Sequence, residues 1–299
     1  MKFRVLLVAL ALSRSASAQM VKLSGYVQLD VRDDTRAAEL RRVRLAFSGN
    51  PAPRVSYFAM LETDHWRPRS SRFIDASVDW KLSETVKVRA GQFKYDFDIE
   101  AREAAHMIPF IDRALITNRV SGSLDGASTP ASTGSAFRDR GVSVIGDAAR
   151  WGWAVGVFQG SGRGRDDDRE YGTVANLRLK PRDGLILNTG VIASDENDYR
   201  AWTAGASWDV SAKWFVRGEV YRARDAVSGE YVSTAVTVLP SLDLLARVQR
   251  FAEGDETTSV DVGAKWFLRR KDRRSGTSIA VNYMHRDEPV LAVRLQVRF

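Results

Sequence analysis

The chain has 299 residues, 44% hydrophobic and 27% charged, with a formal charge of +8 and a pI near 9.8. This composition excludes a disordered chain, and the absence of cysteine excludes a disulfide framework, a thiolate nucleophile and a Cys-based metal site. The basic excess admits nucleic acid, anionic lipid or anionic solutes as partners, and composition does not choose among them.

At the N-terminus, Lys2 and Arg4 precede the apolar run Val5 to Leu12, and Ala16-Ser17-Ala18 supplies a small-residue cleavage site. Residues 1–18 therefore read as a secretory signal peptide, with an apolar core too short to span a bilayer. Removing Lys2, Arg4 and Arg14 takes the charge from +8 to about +5. Export argues against nucleic acid as a partner. No linker or change of composition divides the remainder, so 19–299 reads as one domain.

No later stretch reaches the roughly 20 apolar residues of a transmembrane helix, so a membrane location rests on strands. Alternation predicts them over 21–33, 38–49, 54–64, 72–81 and 85–95. In the fourth, Ile74, Ala76, Val78 and Trp80 alternate with Asp75, Ser77 and Asp79. Short turn signals fall between them at Asn50-Pro51-Ala52-Pro53 and Leu82-Ser83-Glu84. The segment 96–137 breaks the pattern. Asp98 to Met107 has helix formers without Gly or Pro and predicts a short helix, and the rest, through Gly122, Gly126, Pro130 and Gly134, reads as irregular loop.

Alternation resumes over 138–147, 150–160, 170–181, 184–194, 198–210, 213–224, 229–239, 241–252, 257–269, 276–286 and 289–299. Val260, Val262, Ala264, Trp266 and Leu268 alternate with Asp261, Gly263 and Lys265. The last strand sets Leu291, Val293, Leu295, Val297 and Phe299 against Ala292, Arg294, Gln296 and Arg298. Turn signals at Gly146-Asp147, Pro181 to Gly184, Asp209 to Ser211 and Pro240-Ser241 are short. Polar connections at 65–71, 161–169, 194–198 and 224–229 are longer and suit an outer rim. About 16 strands, short and long turns in alternation and an aromatic C-terminus predict an all-β fold, a transmembrane antiparallel β-barrel. Trp66, Trp80, Trp151, Trp153, Trp202, Trp208, Trp214 and Tyr283 lie near strand ends, as interfacial girdles or, for several, as core.

In such a barrel the polar face lines the lumen. Alternation turns Arg42 and Arg44 inward opposite Val43, Leu45 and Phe47, and likewise Lys87 with Arg89, Arg178 with Lys180, Arg247, and Arg294 with Arg298. A guanidinium offers fixed donors and permanent charge to an anion shedding water. The competing expectation is that these arginines pair with Asp30, Asp75, Asp79, Glu219 and Asp261 and stiffen the wall.

Several segments then resemble one family. Leu40-Arg41-Arg42-Val43-Arg44-Leu45-Ala46-Phe47-Ser48-Gly49 resembles the early R-R-x-R-L-x-F-x-G strand of the phosphate-selective porins of the O and P type. Phe73 to Trp80 is similar to its next outward strand, and Val88-Arg89-Ala90-Gly91-Gln92-Phe93-Lys94 to its R-x-G-Q-F-K segment. Phe97-Asp98-Ile99-Glu100 resembles its F-x-x-E step, and Arg138-Asp139-Arg140-Gly141-Val142 its R-D-x-G-V strand start. Trp153 to Gly160 is similar to its G-V-F-N-G element, with Gln159 for Asn. The motifs keep their order over about half the chain.

The resemblance implies a homotrimer of 16-stranded barrels in the bacterial outer membrane, in contact with its lipid, passing small anions such as phosphate or polyphosphate. In porin-like barrels the connection after the fifth strand commonly folds inward. Segment 96–120 is accordingly an expected constriction, with an extracellular lid as the alternative. Arg102, Arg113 and Arg119 lie on it and Lys94 at its root. They complete the expected anion-binding set with Arg42, Arg44, Lys87, Arg89, Arg247 and Arg294.

Enzymatic chemistry finds little support. His65, His106 and His285 lack metal-ligand spacing, and no G-x-S-x-G elbow is present. Ser161 to Arg165 is Gly-rich without the strand-to-helix setting of a phosphate loop, and Asp166-Asp167-Asp168 reads as a solvated loop tip. Neither a cofactor nor a metal is expected. Two rival functions stay open, a weakly selective general porin and a soluble, secreted all-β binding protein.

Overall fold

A strand with one oily and one polar face must bury or lipidate the first and wet the second, and a closed sheet does both without leaving an edge. The computed structural model describes residues 21–35, 37–63, 72–122, 124, 137–160, 170–195, 198–224, 226–286 and 288–299. Among them, sixteen antiparallel strands close into one barrel, each bonded to its neighbours in sequence and the last to the first. The first five are β1 (Lys22–Arg32), β2 (Ala37–Ala52), β3 (Val55–Thr63), β4 (Arg72–Lys81) and β5 (Val86–Lys94). Two short helices follow, α1 (Ile99–Arg102) and α2 (Leu115–Val120). Then come β6 (Arg138–Asp147), β7 (Trp151–Phe158), β8 (Gly172–Arg182), β9 (Leu185–Ser194), β10 (Arg200–Ser211) and β11 (Trp214–Ala223). The last are β12 (Ser228–Leu239), β13 (Leu242–Glu253), β14 (Asp255–Asp272), β15 (Ser275–His285) and β16 (Val290–Arg298).

The alternation is realised as lipid side against lumen side. On β16, Leu291, Leu295 and Val297 are exposed on the outer wall while Ala292, Arg294 and Gln296 are buried inside. Pairing of Leu29 with Leu295 and Asp30 with Arg294 closes the barrel in that register, and a slip of one residue would turn Arg294 to lipid. No helix is long and apolar enough to cross a membrane, so the strands are the crossing elements. Trp80, Trp151, Trp202, Trp214 and Tyr283 stand exposed on the outer wall, as a girdle requires. Arg182 caps the ring of Trp208 at 4.2 Å. The expected signal peptide at 1–18, Trp66, and the connections 65–71 and 161–169 lie outside the described residues.

Seven short turns mark one rim, and both the start of β1 and the end of β16 lie there. The strands run further into these turns than the sequence signals suggest. Asn50 to Ala52 belongs to β2, and the turn is Pro53 and Arg54, the latter with φ 65°. Proline is tolerated there because the register shifts between Gly49 and Ala52 and its missing N–H interrupts no regular ladder.

On the opposite rim the described part of the connection after β5, residues 95–122, turns into the barrel, so 96–120 is an internal constriction and not a lid. The inner wall receives it with side chains. Asn176 and Asn188 donate to the Phe97 carbonyl oxygen at 2.8 and 3.3 Å. Gly190 lets that carbonyl approach, for a Cβ there would collide with it. Glu219 accepts from the Ile99 and Glu100 N–H groups, Gln249 from Leu115, and Asn282 from Ile111. Phe97, Ile116, Val120 and Leu124 pack with Phe158, Ile192, Tyr221 and Tyr231, so the apolar core lies between loop and wall.

The expected helix at 98–107 is a single turn. Asp98 caps it, but Lys94 and Arg113 take the carbonyls of Glu100, Ala101 and Glu103 that a longer helix would use. The helix α2 was not anticipated from the sequence. Its Ile116, Thr117 and Val120 are buried, and Thr117 Oγ1 meets the Tyr221 hydroxyl at 3.1 Å.

Candidate functional site

With the loop packed against the wall from β8 to β16, the open space lies toward β1 to β6, and β13, β15 and β16 complete the wall of its upper part. One cavity of about 360 Å³ opens toward the rim of long connections and is lined by Arg32, Arg41, Arg42 and Arg294 among others. A second, of about 330 Å³, lies toward the short turns and is lined by Phe58, Ser77, Arg89 and Arg102 among others. Arg44, Lys94 and Arg138 line both, so the two cavities meet at three basic side chains on β2, β5 and β6.

Each of these three is held differently. Arg44 donates to Glu62 at 2.7 Å and to the Tyr26 hydroxyl at 2.7 Å. Arg138 forms a two-pronged pair with Asp75 at 3.0 and 2.9 Å. Lys94 donates only to backbone, the carbonyls of Ala101 and Glu103 at 2.6 and 2.7 Å. Among the described residues no carboxylate lies within ion-pair distance of it.

The upper cavity extends the basic surface. Arg42 donates to Gln28 at 3.2 Å and stands 3.8 Å from Glu62. Arg294 is paired twice with Asp30 at 2.6 Å and donates to the Ile111 carbonyl. Arg247 is paired with Asp261 at 2.5 Å and donates to the Asp112 carbonyl. Arg113 donates to the carbonyls of Glu100 and Glu103, its guanidinium 4.8 Å from the centroid of Phe137. Burial pushes the Asp112 carboxyl up, but Arg32, 2.8 Å away, together with Arg294 and Arg41, holds it below the ordinary carboxylate range. It stays ionised and offsets one guanidinium.

The remaining expected residues lie further out. Arg89 and Lys87 share Asp79, at 2.6 Å each, with Arg89 on the lower cavity. Arg102 pairs with Asp96 at 3.0 Å on that cavity. Arg119 is turned to Glu253 at 2.6 Å and lines neither cavity. Lys180 and Arg298 pair with Asp147 and Asp272 near the short turns, and Arg178 is an inward, buried guanidinium. Of the carboxylates expected to pair, Asp30, Asp75, Asp79 and Asp261 do so with arginine. Glu219 instead serves the loop backbone and Tyr231.

Two lining arginines escape a reading by strict alternation. The register between β1 and β2 slips between Gln28, paired with Arg42, and Leu29, paired with Leu40, leaving Arg41 as the extra residue of a bulge. Both Arg41 and Arg42 therefore line the upper cavity. Arg138 begins β6 in the quoted R-D-x-G-V motif with the parity of Arg140 and the exposed Val142, so strict alternation turns it outward; at the strand's end its side chain reaches in to Asp75 instead.

A closed 16-stranded barrel with lipid-facing apolar residues, a charged lumen and an inward loop after the fifth strand defines a porin, an outer-membrane channel. Solved structures share the fold. A double mutant of the Rhodopseudomonas blastica porin matches with a TM-score of 0.68 at 14% identity, over 94% of this chain and 100% of that one. A triple mutant of the same porin gives 0.61 at 14%, with the same coverage. A porin structure refined at 1.8 Å gives 0.61 at 15%, again over 94% and 100%. At such identities the likeness shows the fold alone. A search of curated protein sequences found no match. The family model described as phosphate-selective porin O and P matches residues 21–212, and the chain belongs to that family.

Proposed function

We propose that this channel passes small anions, phosphate or polyphosphate among them, through a basic constriction at Arg44, Lys94 and Arg138. One observation carries the reading. Three basic side chains, Arg44, Lys94 and Arg138, converge where the two cavities meet, with Arg42 just above them; Arg44 and Arg42 share Glu62, and Arg138 is paired with Asp75. A net positive constriction with low-dielectric walls concentrates anions and repels cations. Charge is graded along the path, with Arg41, Arg42, Arg113, Arg247 and Arg294 above and Arg89 and Arg102 below. An anion then exchanges one set of donors for the next and is never trapped by one site. Lys87 and Arg119 stand apart from this route and serve the wall and the loop.

The reading includes export by a signal peptide over 1–18, supported by its basic start, apolar run and Ala16-Ser17-Ala18, and assembly as a homotrimer in contact with outer-membrane lipid, supported by the family. A general porin needs no such excess at its narrowest point. Reversal potentials of the refolded mature protein in a planar bilayer under a salt gradient test it. An anion-selective potential with block by added phosphate is expected, and a potential near zero overturns it. Chemical crosslinking in detergent tests the trimer.

A further inference from the structure

An orthophosphate path needs donors and charge, yet the lower cavity has an apolar panel as well. On β3 the inward positions run Glu62, Met60, Phe58, and the last two line the cavity beside Arg44 of β2 and Arg89 of β5. Tyr26 and Phe93 line it too, but their rings are engaged, with His106 at 4.8 Å and Phe158 at 5.4 Å between centroids. Phe58 is different. It is 36% exposed although it points into the barrel, at the level where it pairs with the buried Ser77. A ring left in the water of a lumen is apolar surface that a passing apolar group would cover.

Resting on the anion reading above, we infer that the preferred permeant is a small organic anion, a phosphate monoester or carboxylate with a compact apolar body. Its charged head is taken by Arg44, Lys94 and Arg138 while its body lies on Phe58 and Met60. The cavity of about 330 Å³ is of the size that holds such molecules. Arg102, from the inner loop, lines the same cavity and is 29% exposed at its side chain. It offers a second donor as the head moves on. Apolar side chains with a few convergent polar groups fix both orientation and specificity.

The test is block of single-channel current by three anions of one head group, phenyl phosphate, methyl phosphate and inorganic phosphate. Phenyl phosphate is expected to half-block at a concentration about tenfold below that of methyl phosphate, because partial cover of a ring is worth about that factor. In the double variant Phe58→Ser, Met60→Ser the two values should converge. Equal half-blocking by phenyl and methyl phosphate in the unaltered channel overturns the inference, and that comparison needs no variant to fold. So does a preference that survives in the double variant. An anion-selective reversal potential accompanying equal block leaves the broader reading standing, whereas loss of anion preference overturns both.

Discussion

Arg294 and Asp30 meet in two hydrogen bonds of 2.6 Å across the seam where the last strand joins the first. The same guanidinium donates to the Ile111 carbonyl of the inner loop at 2.7 Å, so one side chain ties seam, lumen and constriction together. Asp30→Asn removes the charge and keeps the shape. Breaking one partner of a buried pair costs about 3 kcal/mol. The temperature at which the folded form disappears on an unheated gel should fall. The lumen should also become more anion-selective, since Arg294 loses its counter-charge. Unchanged melting and unchanged reversal potential would show that the pair does neither.

Lys94 tests the charge at the constriction most directly, because its partners are carbonyls and not carboxylates. Lys94→Met should lower the anion-to-cation permeability ratio several-fold. Lys87→Met, beside an Asp79 that keeps Arg89, should leave the ratio almost unaltered. Equal effects of the two variants would place selectivity elsewhere.

Strand positions, inward parity and closure were legible in the sequence because period-two alternation is enforced by lipid on one side and water on the other. Phe299 and the β16 pattern illustrate it. What escaped depends on tertiary contact. The bulge at Arg41 leaves no local signature beyond two adjacent arginines, and α2 forms where Ile116 and Val120 find the wall near Tyr221 and Tyr231. The single turn at Ile99–Arg102 stops where Lys94 and Arg113, one before it and one after, claim its carbonyls. A propensity reading of 98–107 contains none of that.

His106 gives the loop a pH dependence. Burial lowers its pKa from 6.5 to about 4, with Arg298, Lys265 and Arg44 adding repulsion and Asp272 opposing it. Its ring lies 4.8 Å from Tyr26. The packed loop therefore holds a neutral imidazole between pH 6.5 and 4, while a released loop binds a proton. The released state binds more protons, so packing weakens as pH falls through that window, by at most about 3 kcal/mol. Amide exchange over 104–108, corrected for its intrinsic pH dependence, should accelerate between pH 6.5 and 4.5. His106→Gln should abolish that trend. A trend that persists in the variant would assign it to other groups.

Glu219 and Arg119 separate two ways of holding the loop. Glu219 accepts from the Ile99 and Glu100 N–H groups at 2.8 and 3.0 Å and from the Tyr231 hydroxyl at 2.6 Å, all buried. Glu219→Ala leaves those donors without an acceptor, at about 1–3 kcal/mol for each group left unsatisfied. The segment it releases carries the carbonyls that orient Lys94 and Arg113, so the single-channel current should become larger and noisier and anion preference should fall with it. Arg119 pairs with Glu253 at the rim, where Glu253 is well exposed. Such pairs contribute about 0–1 kcal/mol, and Arg119→Ala should leave conductance and selectivity as they are. If Arg119→Ala widened the channel and Glu219→Ala did not, the rim and not the buried carboxylate would be what fixes the constriction.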